Sequence, residues 1–512
     1  MQTNKTKIFV IVVLSSIVLL QACTSQNTVV FGTTAFAFKP EEPPQHNRPT
    51  EVRNQEELAE KGFRHPNDLP RIAFTTIPDV EITIEGDSPR HRGRPRLTGN
   101  PQTVGTEHFL IHYTLTGIDK VPDEDANNND IPDYVEEVAK TMEYVWEIEV
   151  NYFGWPAPPE DDELGGDDRY DIYLEEILGR GIAGLTEGAN NDAVIGDNPN
   201  SPDFEEIRSA YSSITLDNDY AELEEDDRIS SLDLMRVTAA HEFLHAIQYG
   251  YDGLETLNWL WESTATWMED EVFDGIDDVD YWSDKVFKSP DTCQAAQGGT
   301  ERVEDRGHWY AMWVYIRYLS ENYGHSIVQD LWVKAADVDG YRIIEETLEE
   351  RNLVPQEVLE DYFIALLIRD FENGDIYPTV RLEGETLKGS TFTPVDGVDK
   401  LGADYVEIIG NGPLAITLMS DELEGIIVGV VDEKRAIHRL TDGSVNVDAD
   451  AYDHLYLIVI NYNEVSFDYN CEVLDYQVHV SSGTDVQEAT HLRPAPYFAP
   501  PEVEGLKNPD EE

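Results

Sequence analysis

The chain has 512 residues, enough for two or three domains that each bury a core of their own. Its 40% apolar content, with nine Trp and 25 Tyr, describes a folded protein. Against 36 basic residues stand 102 acidic ones; the formal charge of −66 repels phosphate backbones and excludes nucleic acid as a partner.

Lys5 and Lys7 precede a thirteen-residue apolar run, Ile8 to Leu20, and then "LQAC". Thirteen residues are too few to span a bilayer as a stable helix, but they match a signal-peptide core. The ending at Cys23 resembles the bacterial lipobox. That resemblance implies loss of residues 1–22, lipidation of Cys23, and an exported protein held to a membrane or cell surface by acyl chains. No later segment reads as transmembrane. The other two cysteines are Cys293 and Cys471; export permits a disulfide between them, and spacing alone does not decide whether it forms. Residues 23–104, with "KPEEPPQHNRP" and "PRHRGRPRL", read as a Pro- and charge-rich extension.

Regular patterning starts near Glu107. "HFLIHYTL" alternates, placing Phe109, Ile111, Tyr113 and Leu115 on one face of a strand. Next comes "DANNNDIPDYVE". With Asp125 as position 1, Asn127, Asn129, Ile131, Asp133 and Glu136 fall at 3, 5, 7, 9 and 12, the ligand positions of a twelve-residue calcium loop. The glycine usual at position 6 is Asp130, a residue that tolerates left-handed backbone. Oxygen-only ligands at this density suit a hard cation, so structural Ca²⁺ is expected there. Tyr134, Val135, Val138, Met142, Val145 and Trp146 then follow helical spacing. "RYDIYLEEI" and "SAYSSITL" read as strands, and the second is expected to be the sheet edge on which an extended peptide pairs. Ser230 with Asp233 three residues on starts a helix in the manner of a capping box. More helices are predicted at 308–322, 326–336 and 355–371. Beyond about Thr379, "GPLAITL", "GIIVGVV", "HLYLIVINY" and "DYQVHVSS" read as strands of a β-sandwich over residues 380–482, with a disordered tail at 483–512.

The helix opened by Ser230 carries "HEFLH". Residues four apart share a helix face, so His241 and His245 can offer two imidazoles to one metal ion, with Glu242 beside them to act on a water. A catalytic zinc needs a third protein ligand and keeps its fourth position open. One protease class uses a histidine six residues after the second, with a glycine between. Here those positions hold Tyr251 and Gln248, which excludes that class. Another class uses a glutamate from the next helix, and "NWLWESTATWMEDE" offers Glu262, Glu269, Asp270 and Glu271.

"HEFLHAIQY" followed by "WLWESTATWME" resembles the gluzincin zinc metalloproteases, in which HExxH is followed downstream by WxxE. It is similar to the "WLNEG-x-A" helix of aminopeptidase N-like enzymes. It is closer still to bacterial exported metalloprotease-like lipoproteins carrying HEFxHxxQ and WxxEGxA. The similarity runs over roughly residues 105–375. It implies Glu262 as the third ligand, with Ser263 departing from the usual glycine. It also implies a donor to the transition state at Tyr310, with His308 nearby. Those proteins carry a stretch like 125–136 in the same place. Glu269 or Asp270 is expected to support a ligand histidine by hydrogen bonding.

The resemblance therefore implies an α+β zincin-like metalloprotease domain over 105–379, with a mixed-sheet upper lobe and a helical lower lobe, followed by a C-terminal β-sandwich. The expected activity is zinc-dependent hydrolysis of peptide bonds in a peptide or protein substrate. The alternative is a surface lipoprotein that binds a polymer or protein ligand and keeps a structural or vestigial metal site. A hydrolase of another bond is also compatible, because the motif constrains water activation and not the bond attacked.

Overall fold

The computed structural model describes residues 77–501 apart from 90–92, 162, 189–193, 203, 222–228, 277–278, 294–306, 464–470, 472, 488 and 490–491. The signal segment, Cys23 and the extension as far as residue 76 lie outside the described residues. Contacts divide the chain into two compact units, Met1–Gly253 and Leu254–Glu512. The division does not fall near residue 379, because the helices after Leu254 share one unit with the β-rich C-terminal region.

The first unit contains β1 (Thr83–Asp87), β2 (Gln102–Gly105), β3 (Phe109–Tyr113), α1 (Asp133–Trp146), β4 (Tyr170–Glu175), β5 (Gly184–Gly188), β6 (Val194–Gly196), β7 (Ser209–Ala210), β8 (Ser212–Asp217) and α2 (Ser231–Asp252). Six of the strands form a mixed sheet in the order β1-β2-β3-β4-β8-β5. β3, β4 and β8 run parallel, joined through α1 between the first two; β1, β2 and β5 pair antiparallel to their neighbours. β3 and β8 are buried at every residue, so both faces of the sheet centre are covered.

The polar residues of these alternating strands are buried with partners. His112 Nε2 lies 2.9 Å from Asp171 Oδ1, His112 Nδ1 lies 2.7 Å from Ser88 Oγ, and the buried Arg94 pairs with both Asp161 and Asp171. Arg94 and β1–β2 were expected in the extension. They belong instead to the sheet and its ion-pair cluster, which Pro- and Arg-rich composition conceals. A second expectation also changes. β8 pairs on both sides, with β4 and β5, so "SAYSSITL" is interior, and the edges of this sheet among the described strands are β5 on that side and β1 on the other.

The second unit begins with α3 (Asn258–Val272), α4 (Asp280–Lys288), α5 (His308–Ala311), α6 (Trp313–Tyr323), α7 (Ser326–Ala335), α8 (Arg342–Glu350) and α9 (Pro355–Ile368). The helix predicted at 308–322 is therefore two, α5 and α6, meeting at Met312. Ten strands follow: β9 (Gly384–Leu387), β10 (Thr391–Phe392), β11 (Ala403–Ile409), β12 (Pro413–Met419), β13 (Glu424–Val431), β14 (Lys434–Arg439), β15 (Ser444–Asp448), β16 (His454–Ile460), β17 (Gln477–Ser482) and β18 (Arg493–Pro494). They make two sheets, β10-β17-β12-β15 and β18-β14-β13-β16-β11-β9, whose inward residues share one apolar core, among them Leu414, Ile416, Val447 and Val480 from the first and Val406, Ile427, Leu457 and Val459 from the second. The fold is thus mixed α and β with a β-rich C-terminal region.

Cys293 and Cys471 are disulfide-bonded, tying the segment after α4 to the β-rich region. The tail is not disordered throughout. β18 pairs with β14, Ala495 is buried, and the Arg369 guanidinium donates to the Tyr497 carbonyl. Prolines block a long strand there, but a two-residue pairing and side-chain contacts still hold the segment.

Candidate metal centre

Ser230 caps α2: its hydroxyl accepts from the Asp233 amide at 3.1 Å, while the same Oγ donates to the Asp233 carboxylate at 2.8 Å. From Val237 to Asp252 every residue of α2 is buried, so polar groups along it need partners inside the protein. His241 and His245 are 3% and 2% exposed, their ring centroids 4.7 Å apart and nearly perpendicular. His245 Nδ1 lies 2.6 Å from Gln248 Oε1. An amide oxygen only accepts, so Nδ1 carries the proton and Nε2 keeps its lone pair for a metal.

Glu242 is 2% exposed and held from β5. The Thr186 hydroxyl stands 2.7 Å from Glu242 Oε2 and 2.9 Å from the Glu242 carbonyl oxygen. Two residues earlier on β5, Gly184 makes room: a Cβ there would lie 2.6 Å from Glu242 Cγ and 2.7 Å from its Oε1. Neither Thr186 nor Gly184 stands out in "GLTEG", and only a strand laid over α2 gives them this task.

α3 carries Glu262, 5% exposed. Trp261 Nε1 donates to the Glu255 carbonyl, and the Trp261 ring packs edge-on against Trp332 of α7. Ser263, in the place of the glycine, is fully buried. One ligand atom from each of His241, His245 and Glu262 lies within 4.8 Å of the others. Ligands about 2 Å from a tetrahedral ion stand about 3.3 Å apart, so two nitrogens and an oxygen within this limit could hold a divalent metal ion. Among the described residues one further group, Asp252, Glu255 and Asp339, meets the same spacing.

Tyr310 and His308 lie on α5, and Glu269 and Asp270 on α3. Tyr310 is buried in α5, stacked on Trp282 at 4.7 Å. Beside it in sequence, His308 is pushed down to about 4 by burial, with Lys285 adding to the effect, so its imidazole is neutral. Asp270 pairs at 3.2 Å with Arg317, a buried cation that also engages Glu321. Glu269 is buried near the end of α3.

Residues 125–136 wrap as a loop closed by its own polar groups. Asp130 adopts φ 68°, the left-handed backbone that position 6 requires, and Asn128 adopts φ 60°. The amides of Asn129 and Asp130 donate to Asp125, Ala126 donates to Asp133, and the side chains of Asn127 and Asn129 donate to Glu136. Ile131, at the backbone-carbonyl position, is buried as the helix begins. The carboxylates of Asp125, Asp133 and Glu136 are not among the groups that meet the metal spacing.

A family model described as "Family of unknown function (DUF6055)" matches residues 228–343. That span includes His241, Glu242, His245 and Glu262. No curated protein matches the chain.

Proposed function

We propose that the chain is a zinc-dependent metallopeptidase of gluzincin type on a zincin-like fold. The observation that carries this reading is the convergence of His241, His245 and Glu262 to within 4.8 Å, with the buried Glu242 beside them fixed by Thr186. The three ligands would hold the ion and leave a fourth position for water or substrate. When bound, zinc supplies Lewis acidity to the attacking water and the scissile carbonyl. Glu242 takes the water's proton and passes it to the leaving amine; its anchored carboxylate is already oriented for the transfer. Tyr310 is proposed as the donor to the developing oxyanion. The free edge of β5, which also carries Thr186 and Gly184, suits pairing with an extended peptide, and this favours a peptide bond over other bonds.

Export and lipid anchoring at Cys23 belong to the same proposal. The Cys293–Cys471 disulfide supports them, because such bonds persist in oxidising compartments. Structural Ca²⁺ at 125–136 is supported by the left-handed Asp130 and by the convergence of Asn127 and Asn129 on Glu136. Calcium should raise the melting temperature of the parent more than that of Glu136→Gln; an equal response in both refutes that site.

The reading is tested by Glu242→Gln. The variant should bind zinc as the parent does while hydrolysis of a denatured protein substrate falls by about 10²-fold or more. A variant that hydrolyses at the parent's rate refutes the role given to Glu242.

A further inference from the structure

A second group of ligand-type atoms gathers where the chain leaves α2. Asp252 is the last residue of α2, Glu255 stands in the turn that leads to α3, and Asp339 lies in the loop between α7 and α8. One carboxylate oxygen from each lies within 4.8 Å of the others. With 102 acidic residues in the chain, carboxylates meet at many solvated places, but this group is largely enclosed. Asp252 is 0% and Glu255 6% exposed, while Asp339 reaches solvent.

Glu255 is held in one pose from both sides. Its Oε1 accepts from the amides of Thr256 at 2.7 Å and Leu257 at 2.6 Å, and from the Gly340 amide at 3.3 Å. Gly340 takes φ 77°, a left-handed conformation that glycine adopts freely, and Asp339 just before it comes beside the same carboxylate. Oε1 is thus occupied, and Oε2 is the oxygen left. It is shielded from solvent and has no hydrogen-bond partner among the described residues. Leaving a buried carboxylate oxygen in this state is costly, and native proteins rarely do so without a reason. Asp252 adds to the cost. It ends a 22-residue helix, where the helix dipole opposes a negative charge and favours a cation. Arg208 offsets part of this by pairing with Asp252.

The donor set indicates the kind of ligand. Three carboxylates with neither nitrogen nor sulfur among them suit a hard cation. Oxygens about 2.4 Å from one calcium ion stand no more than about 4.8 Å apart, a condition the three satisfy. Magnesium keeps most of its waters and is seldom enclosed by protein groups alone, so burial of two of the three carboxylates favours calcium. We propose that Asp252, Glu255 and Asp339 hold a calcium ion, with Glu255 Oε2 as its buried anchor. The ion fastens the turn between α2 and α3 to the loop before α8. The site is separate from residues 125–136 and does not depend on the zinc reading.

The test counts bound calcium by equilibrium dialysis at about 0.15 M salt, where the diffuse attraction of the acidic surface is screened. It uses the full chain, stripped of metal with a chelator and carrying Glu136→Gln, which removes the bidentate ligand expected in the 125–136 loop. This chain should hold one calcium ion, and adding either Asp339→Asn or Glu255→Gln should release it. Calcium should raise the melting temperature of Glu136→Gln and not that of either double variant. Asp339 is exposed, so its variant reports on the site even if Glu255→Gln fails to fold. A Glu136→Gln chain that holds no calcium overturns the proposal. So does calcium retained after Asp339→Asn, which would leave Glu255 with a structural role alone. Displacement of the calcium by magnesium at the same concentration overturns the choice of ion.

Discussion

Gly184→Ala puts a single methyl group between β5 and α2, next to the base proposed for the reaction. The backbone at Gly184 lies outside the left-handed region, so the conformation itself tolerates alanine and only space is at issue. The new Cβ would stand 2.5 Å from Thr238 Cγ2, 2.6 Å from Glu242 Cγ and 2.7 Å from Glu242 Oε1. Non-bonded heavy atoms normally sit about 3.5–4.0 Å apart, so something must move by about 1 Å. The strand is paired to β8 from Gly184 to Gly188, and Thr238 lies in a fully helical stretch, so the Glu242 side chain is the part that yields. Overpacking of this kind costs about 1–3 kcal/mol of stability, and misplacing a reacting group by about 1 Å costs about 10²-fold in rate. The ligand histidines are not touched. The expected result is hydrolysis reduced about 10²-fold with zinc binding kept and a modest drop in melting temperature. Full activity in a folded Gly184→Ala protein would refute the placement of Glu242 as the base.

Two further predictions concern stability. Burial pushes the Glu206 carboxyl up to about 7, against hydrogen bonds from Ser201 and from the Asn198 amide. In the unfolded chain it titrates near ~4.3. The folded state therefore binds this proton more tightly, and the stability it adds, up to roughly 4 kcal/mol below about pH 4.3, is lost as pH rises through about 7. Urea titrations from pH 5 to 8 should show stability falling in the parent and falling less in Glu206→Gln; identical slopes refute the assignment. Removing the Cys293–Cys471 disulfide, whose partners are 178 residues apart, should lower stability by up to about 5 kcal/mol on the chain-entropy account. Denaturation of a double Ser variant measures this, and an unchanged midpoint contradicts it.

The candidate ligands were legible in the sequence because helix geometry is local: the spacing of His241 and His245 is set by 3.6 residues per turn. Glu262 needed the flanking Trp259 and Trp261 of the motif, both of which are buried. The residues packed against the proposed base, and the inward turn of Glu149, were not legible. Thr186 and Gly184 act across a sheet edge. Glu149, in "EIEV", has the look of an exposed helical acid until the π-helical turn Glu147–Tyr152 rotates it inward. β1, exposed along most of its length, lacks the alternation that marks a strand. The short helix α8 carries only four buried residues, Ile343, Ile344, Thr347 and Leu348, among nine. Long-range pairing decided these elements, and local pattern does not encode it.

The central claim is most directly tested by the zinc content of the purified chain beside Glu262→Ala, with both shown to be folded by circular dichroism. The account predicts one tightly held zinc per parent chain and far less in the variant. A folded parent that takes up no zinc when it is supplied, or a variant that holds it as tightly, would contradict the three-ligand centre.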